Sequence, residues 1–237
     1  SSCSGASANT RCSTLAARMS REGKQGGGNA GGAADLAARA LAFVESPDGA
    51  RFVKLRDELR AAGRGELLAA VCAAFASSAI GPHAAAAWSE AGETYLVIGD
   101  VAAGKRALER ALLSDPLDER ARIALSGYLV DAGQAASAVE ILEAELVALA
   151  AAPNATPARR ARAHGRAAGI WHTHLGRLDR ALAHYQTAWQ LEPTRTEALG
   201  HARAIYSSLG DDAMVARLWQ TELDVLGPNG AAGDRAR

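Results

Sequence analysis

The stretch AAAWSEAGETYLVIGDVAAGKRALERALLSDPLD, residues 85–118, decides the fold. Gly99 sits at its centre, after one apolar-faced helical run and before another. A glycine there can take the left-handed conformation that ends a helix, which other residues resist. The same arrangement recurs outward from this stretch at Gly65, Gly133, Gly176 and Gly210, with consecutive spacings of 34, 34, 43 and 34 residues. Each glycine is expected to mark the turn inside a helical hairpin. Other positions keep register with them. Five residues on stand Ala70, Gly104, Ala138, Ala181 and Val215, mostly small enough to let two helices approach closely. Nine residues on stand Ala74, Leu108, Leu142, Tyr185 and Trp219, mostly bulky. Seventeen on come Pro82, Pro116, Ala150, Pro193 and Gly227, where a proline ends one helix and opens the next unit.

This pattern resembles the tetratricopeptide (TPR) repeat, whose period is 34 residues. In 85–118 the residues Trp88, Ala91, Gly92, Tyr95, Gly99, Gly104, Leu108, Ala111 and Pro116 fall on the family's pattern. The unit at 162–195 matches through Ala168, Gly169, Gly176, Ala181, Tyr185, Ala188 and Pro193; units 119–152 and 196–229 match more loosely, and 51–84 is the most degenerate. Glu58 and Arg203 occupy places where a small residue normally packs. Nine extra residues before 162 read as a longer helix, Ala135–Ala151, followed by a loop that bends the array or marks a sub-boundary. The resemblance implies an all-α, right-handed superhelical solenoid of stacked helix-turn-helix repeats. Trp88, Tyr95, Leu108 and Trp219 are expected to be largely buried. Alanine-rich helical segments with no strand pattern agree with that class.

Around this repeat domain, 34–228, the ends change character. Residues 1–33 are rich in Ser, Gly and Asn and read as a flexible segment, with one short helix around Ser13–Ser20. Residues 229–237 read as a polar tail. A first short helix carries Leu36, Ala40, Phe43 and Val44 on one face, and Ser46-Pro47 reads as the N-cap and first position of the next. The chain opens on Ser1 rather than Met, which suggests a processed or truncated start. Its Ser-Ser-Cys opening is faintly like a lipoprotein cleavage site, although a mature lipoprotein would begin at the Cys.

Charge and motif content exclude several functions. The 237 residues carry 26 basic and 26 acidic side chains, so there is no electrostatic footprint for nucleic acid or a membrane surface. No apolar run approaches the ~20 residues that span a bilayer. Only three of the basic residues are lysines, and with so much Ala and Gly this is a high-GC, bacterial type of composition. Cys3, Cys12 and Cys72 form no C-x-x-C pair; Cys72 lies in an apolar run and reads as a core residue. His172 and His174 point about 200° apart on a helix and cannot share an ion. His83, His164, His184 and His201 are scattered with no H-x-x-x-H pair. Asp100 and Asp211-Asp212 follow turn glycines and read as helix caps. Gly104-Lys105 lacks the strand and glycine-rich turn of a phosphate loop, and Asn154-Ala155-Thr156 is formally a glycosylation sequon. No catalytic, cofactor or metal residues are expected.

What the resemblance implies is a protein-protein interaction scaffold or adaptor, holding a partner peptide or helix in the concave groove formed by the first helix of each repeat. The alternative is the regulatory arm of a larger enzyme or transcription regulator. Carrying the family's groove positions over gives Ser89, Glu93, Leu96 and Val97, then Arg120, Ile123, Gly127, Val130 and Asp131. The later repeats give Arg166, Ile170, Thr173 and His174, then Glu197, Gly200 and Ala204. Ser89 and Glu93 stand where chaperone-binding members carry a Lys and Asn clamp, so no carboxylate clamp is expected. The partner expected is another protein or peptide, or even the N-terminal segment of this chain seated against Ile123, Val130 and Ile170. A cytoplasmic placement is expected, with a periplasmic or lipid-anchored one as the alternative.

Overall fold

The computed structural model describes residues 30–230. The expectations for Cys3, Cys12, the helix at Ser13–Ser20, most of the N-terminal segment and the last residues of the tail lie outside them. Eleven helices and no strand occur among the described residues: α1 (Ala30–Glu45), α2 (Gly49–Ala61), α3 (Gly65–Ser78), α4 (Gly81–Val97), α5 (Val101–Ser114), α6 (Glu119–Asp131), α7 (Ala135–Ala151), α8 (Pro157–Thr173), α9 (Leu178–Leu191), α10 (Glu197–Ser208) and α11 (Asp212–Gly230). They form two compact units that part after Ala121. In the first, α3 packs on α4, α4 on α5, and α1 on α3; in the second, α7 packs on α8, α8 on α9, α9 on α10 and α10 on α11.

The hairpin turns follow from backbone chemistry. Gly99, Gly133, Gly176 and Gly210 all have positive φ, between 62° and 85°. After Gly133 and Gly210 the next amide reaches back five residues, Gln134 to the Leu129 carbonyl and Asp211 to that of Tyr206, which satisfies an otherwise orphaned helix end. The first hairpin departs from the expected register. Its left-handed turn is at Gly63, φ 63°, not at Gly65. Helix α2 stops at Ala61 and the Arg64 amide closes the turn on the Leu59 carbonyl at 3.0 Å. Gly65 instead opens α3, where a Cβ would lie 2.9 Å from Cγ2 of Ile98. Its smallness serves packing.

Asparagine-free capping is handled by aspartate and threonine. Asp100 accepts from the Ala103 amide at 3.0 Å, Asp211 from Met214 at 3.0 Å and Thr156 from Arg159 at 3.2 Å. Ser46 is not a cap. Asp48 takes that place, accepting from the Ala50 amide at 2.9 Å, because α2 begins two residues later than the Ser-Pro pair suggests.

The tightest surroundings of any described glycine are where α4 meets α5. A Cβ on Gly92 would stand 2.6 Å from Cγ of Leu108, and one on Gly104 would stand 2.7 Å from Cδ2 of Leu96; each would also meet the other glycine's carbonyl oxygen at 3.1 Å. Leu108 is fully buried, and Trp88 is 8% exposed with the Arg110 guanidinium 4.9 Å over its ring. Tyr95 is only half-buried. Trp219 is 49% exposed, against expectation. It lies on α11, the last described helix, and Arg203 sits 3.5 Å over its ring. Cys72 is a fully buried free thiol on α3.

Gly92→Val should therefore destabilise the chain by about 1–3 kcal/mol or more through overpacking, whereas Gly127→Ala, with open space around its Cα, should stabilise α6 by up to about 1 kcal/mol through helix propensity. Urea denaturation of the two variants checks both signs.

Candidate functional site

The first helices of the hairpins carry the residues expected to bind, and the structure sorts them. On α4, Ser89 is 0% exposed and its Oγ donates to Asp118 at 2.9 Å. Asp118 also accepts from the Ala121 amide at 2.7 Å, so it caps α6 while closing over Ser89. Ser89 is a packing residue, not a groove residue. Leu96 turns onto Gly104 inside the hairpin, because the missing side chain at Gly104 leaves the space it fills. Glu93 is half-exposed and gripped in bidentate fashion by Arg120, at 2.8 and 2.5 Å. That geometry is the strong form of carboxylate-guanidinium pairing. The exposed end of α4 is Val97, beside the turn.

On α6, Ile123 is 49% exposed, Gly127 and Asp131 are exposed, and Val130 is half-buried. On α8, Ile170 is half-buried and His174, the C-cap, is exposed. Arg166, expected in the groove, is turned to a buried partner. Its Nη2 donates to both carboxylate oxygens of Glu145 at 2.9 and 3.0 Å, and Glu145 is 0% exposed. Glu145 lies between Leu142 and Leu149 on the buried face of α7. A carboxylate there requires a partner, since an uncompensated buried charge is strongly destabilising.

Within the second unit a recess of about 330 Å³ opens between α8 and α10. Arg162, Gly165 and Arg166 line it from α8; Tyr185 and Ala188 from α9; Glu197 and His201 from α10; Arg195 from the connection before α10. The recess thus brings together two of the expected groove residues, Arg166 and Glu197. Arg195 bridges Glu192 and Glu197 at 3.7 and 3.1 Å, and the His201 ring stacks on Tyr185 with centroids 5.1 Å apart and planes at 18°. The lining mixes guanidinium, carboxylate, imidazole and apolar surface. It can hold a peptide side chain by hydrogen bonds and ring contact, and it shows no nucleophile paired with a base.

Two histidines read as scattered also meet. His164 on α8 and His184 on α9 bring their Nδ1 atoms to 3.0 Å. Burial, followed by the neighbouring His184, pushes His164 down to about 4. Burial likewise lowers His184, with Glu143 opposing and Arg180 adding to the shift. Their separation of 20 residues on different helices hides the pair from any short motif. Glu145, by contrast, leaves a sign in the sequence that the repeat register passes over, an acid within the apolar stripe of Leu142 and Leu149.

Helical hairpins of this length, closed by left-handed glycines and packed through small residues, define the chain as TPR-like in fold. Among solved structures it is similar to MamA, with 15% identity and a TM-score of 0.54 over 74% of this chain and 90% of that one. It is also similar to MamA from residue 41 to the end of Desulfovibrio magneticus RS-1, with 16% identity and a TM-score of 0.52 over 73% and 92%. A third is YrrB, described as a TPR protein with an unusual peptide-binding site, with 18% identity and a TM-score of 0.52 over 83% and 96%. No family model matches the sequence, and no curated protein matches it. No described helix is long and apolar enough to cross a membrane.

The histidine pair gives a pH dependence. A histidine whose folded value lies below its unfolded value of about 6.5 binds protons preferentially in the unfolded chain, so stability is full above pH 6.5 and falls as pH drops toward 4. Melting curves at pH 7.5, 6.0 and 5.0 should show a falling melting temperature, and His164→Asn should show a smaller fall over the same window.

Proposed function

We propose that this chain is a non-catalytic interaction scaffold that holds a peptide or helix of a partner protein against the first helices of its hairpins. The observation that carries the reading is the recess between α8 and α10, whose walls come from the first helices of two successive hairpins and whose floor is Tyr185 and Ala188. That position and its mixed lining suit one side chain of a bound segment. On α6, Ile123 and the open surface at Gly127 offer a second, apolar foothold. The peptide-binding site named for YrrB supports the same kind of use. The binding set comprises Ile123, Gly127, Val130 and Asp131 on α6, Arg162, Ile170 and His174 on α8, and Glu197 on α10. Arg166 contributes its apolar stem while its guanidinium neutralises Glu145. The alanine- and arginine-rich composition fits a high-GC bacterial source.

The test begins with a displayed peptide library selected against the full chain. Selected peptides should lose at least tenfold in affinity against Ile123→Asp combined with Ile170→Asp, with helicity by circular dichroism unchanged. Because Ile170 is half-buried, Ile123→Asp alone and Arg162→Glu alone provide milder variants. Peptides that bind all of these as tightly as the wild type would move the function to the opposite faces of the hairpins or to the loop at 152–156.

A further inference from the structure

The histidine pair serves neither the hairpin turns nor the proposed binding face. His164 and His184 turn their rings head-on, with Nδ1 atoms 3.0 Å apart, ring centroids 5.2 Å apart and planes inclined at 45°. Two imidazole nitrogens use such a separation in one of two ways. In a hydrogen bond, one Nδ1–H donates to the lone pair of the other ring. In a metal site, both lone pairs meet on one ion, and for zinc bonds of about 2.1 Å at a tetrahedral angle the two nitrogens stand about 3.4 Å apart. The two arrangements differ by a few tenths of an ångström, and both side chains are only half-buried, so small rotations convert one into the other.

We infer that His164 and His184 form a two-histidine site for a divalent transition ion of the zinc class, joining α8 to α9. Imidazole nitrogen is a preferred donor for zinc, nickel and copper. Both rings are half-buried, which disfavours their protonated forms, and neutral imidazole is the form that binds an ion. Two further charges act at the site: Glu143 on α7 favours a cation at His184, and Arg180 on α9 opposes it. Among the described residues no group of three or more His, Cys, Asp and Glu side chains is placed to enclose an ion. Water therefore completes the coordination, as partial exposure allows, and the site is open and exchangeable. Cys72 does not compete, because burial pushes its thiol up to about 12.

The full chain, stripped with chelator and carrying Cys3→Ser and Cys12→Ser so that those thiols take no part, is titrated with zinc chloride at pH 7.5 by calorimetry. We expect one ion per chain and a rise in melting temperature that chelator reverses. His164→Asn and His184→Asn should each weaken uptake at least tenfold, while His83→Asn, at an exposed residue of α4, should leave it intact. Two-bond nitrogen-15 spectra of the imidazoles should show both Nδ1 atoms metal-bound. Uptake unchanged in the single variants, no uptake at all, or an Nδ1–H···Nδ1 hydrogen bond that persists at saturating zinc would each overturn the assignment. Should a variant fail to fold, the imidazole spectra of the chain with both histidines decide the question alone.

Discussion

The packing of paired helices at glycine and alanine contacts is the constraint on which the rest depends. Neither helix of a hairpin can bury its apolar face alone, and a polar-rich surface with so few aromatic residues supplies little bulk to fill a gap. The hairpins therefore close by bringing backbones together. Gly92 and Gly104 do this most tightly, each leaving room for a leucine of the opposing helix. Ala91, Ala107, Ala111, Ala138, Ala163, Ala167, Ala168 and Ala181 do the same elsewhere, all nearly or fully buried. Dispersion contacts of this kind are individually small and add up only where surfaces match closely, which is why volume cannot be added freely at these positions.

Arginine-carboxylate pairs form a second layer of organisation. Arg60 of α2 reaches Glu90 of α4, Arg120 reaches Glu93 between α6 and α4, Arg166 of α8 reaches Glu145 of α7, and Arg203 of α10 reaches Glu222 of α11. Glu90, Glu145 and Glu222 are all buried. Such pairs are weak evidence for net stability, because desolvation offsets most of the attraction. They do fix which helix faces which, since a slipped register would strand a carboxylate in an apolar layer. One consequence bears on recognition: each of these four guanidinium groups is already paired with a carboxylate of the protein, so a partner meets it as part of a neutralised pair.

The sequence made the hairpins legible because a left-handed turn recurring from hairpin to hairpin leaves a mark that few residues other than glycine can make. The bounds of α7, Ala135–Ala151, follow from the nine extra residues that separate its unit from the next. The first turn was misplaced because two glycines, Gly63 and Gly65, lie within reach of the same helix end and only tertiary contact with Ile98 separates their roles. Trp219 was misjudged because a repeat register says which face of its helix a residue occupies, without saying how much of that residue is covered. Ser89 and Leu96 were assigned to the groove by position in the repeat, yet Asp118 and the space over Gly104 draw them inward. The histidine pair was invisible for a different reason: it exists only once α8 and α9 are packed side by side.

Cys72 gives the packed first unit a built-in clock. Its thiol is sealed on α3, with burial holding the proton on sulfur, so an alkylating reagent gains access only when that helix lifts away from its neighbours. With Cys3 and Cys12 replaced, the rate of modification at Cys72 becomes a direct reading of how often the first unit opens. Compared with the melting of the whole chain, that rate separates breathing of a few hairpins from collapse of the entire array.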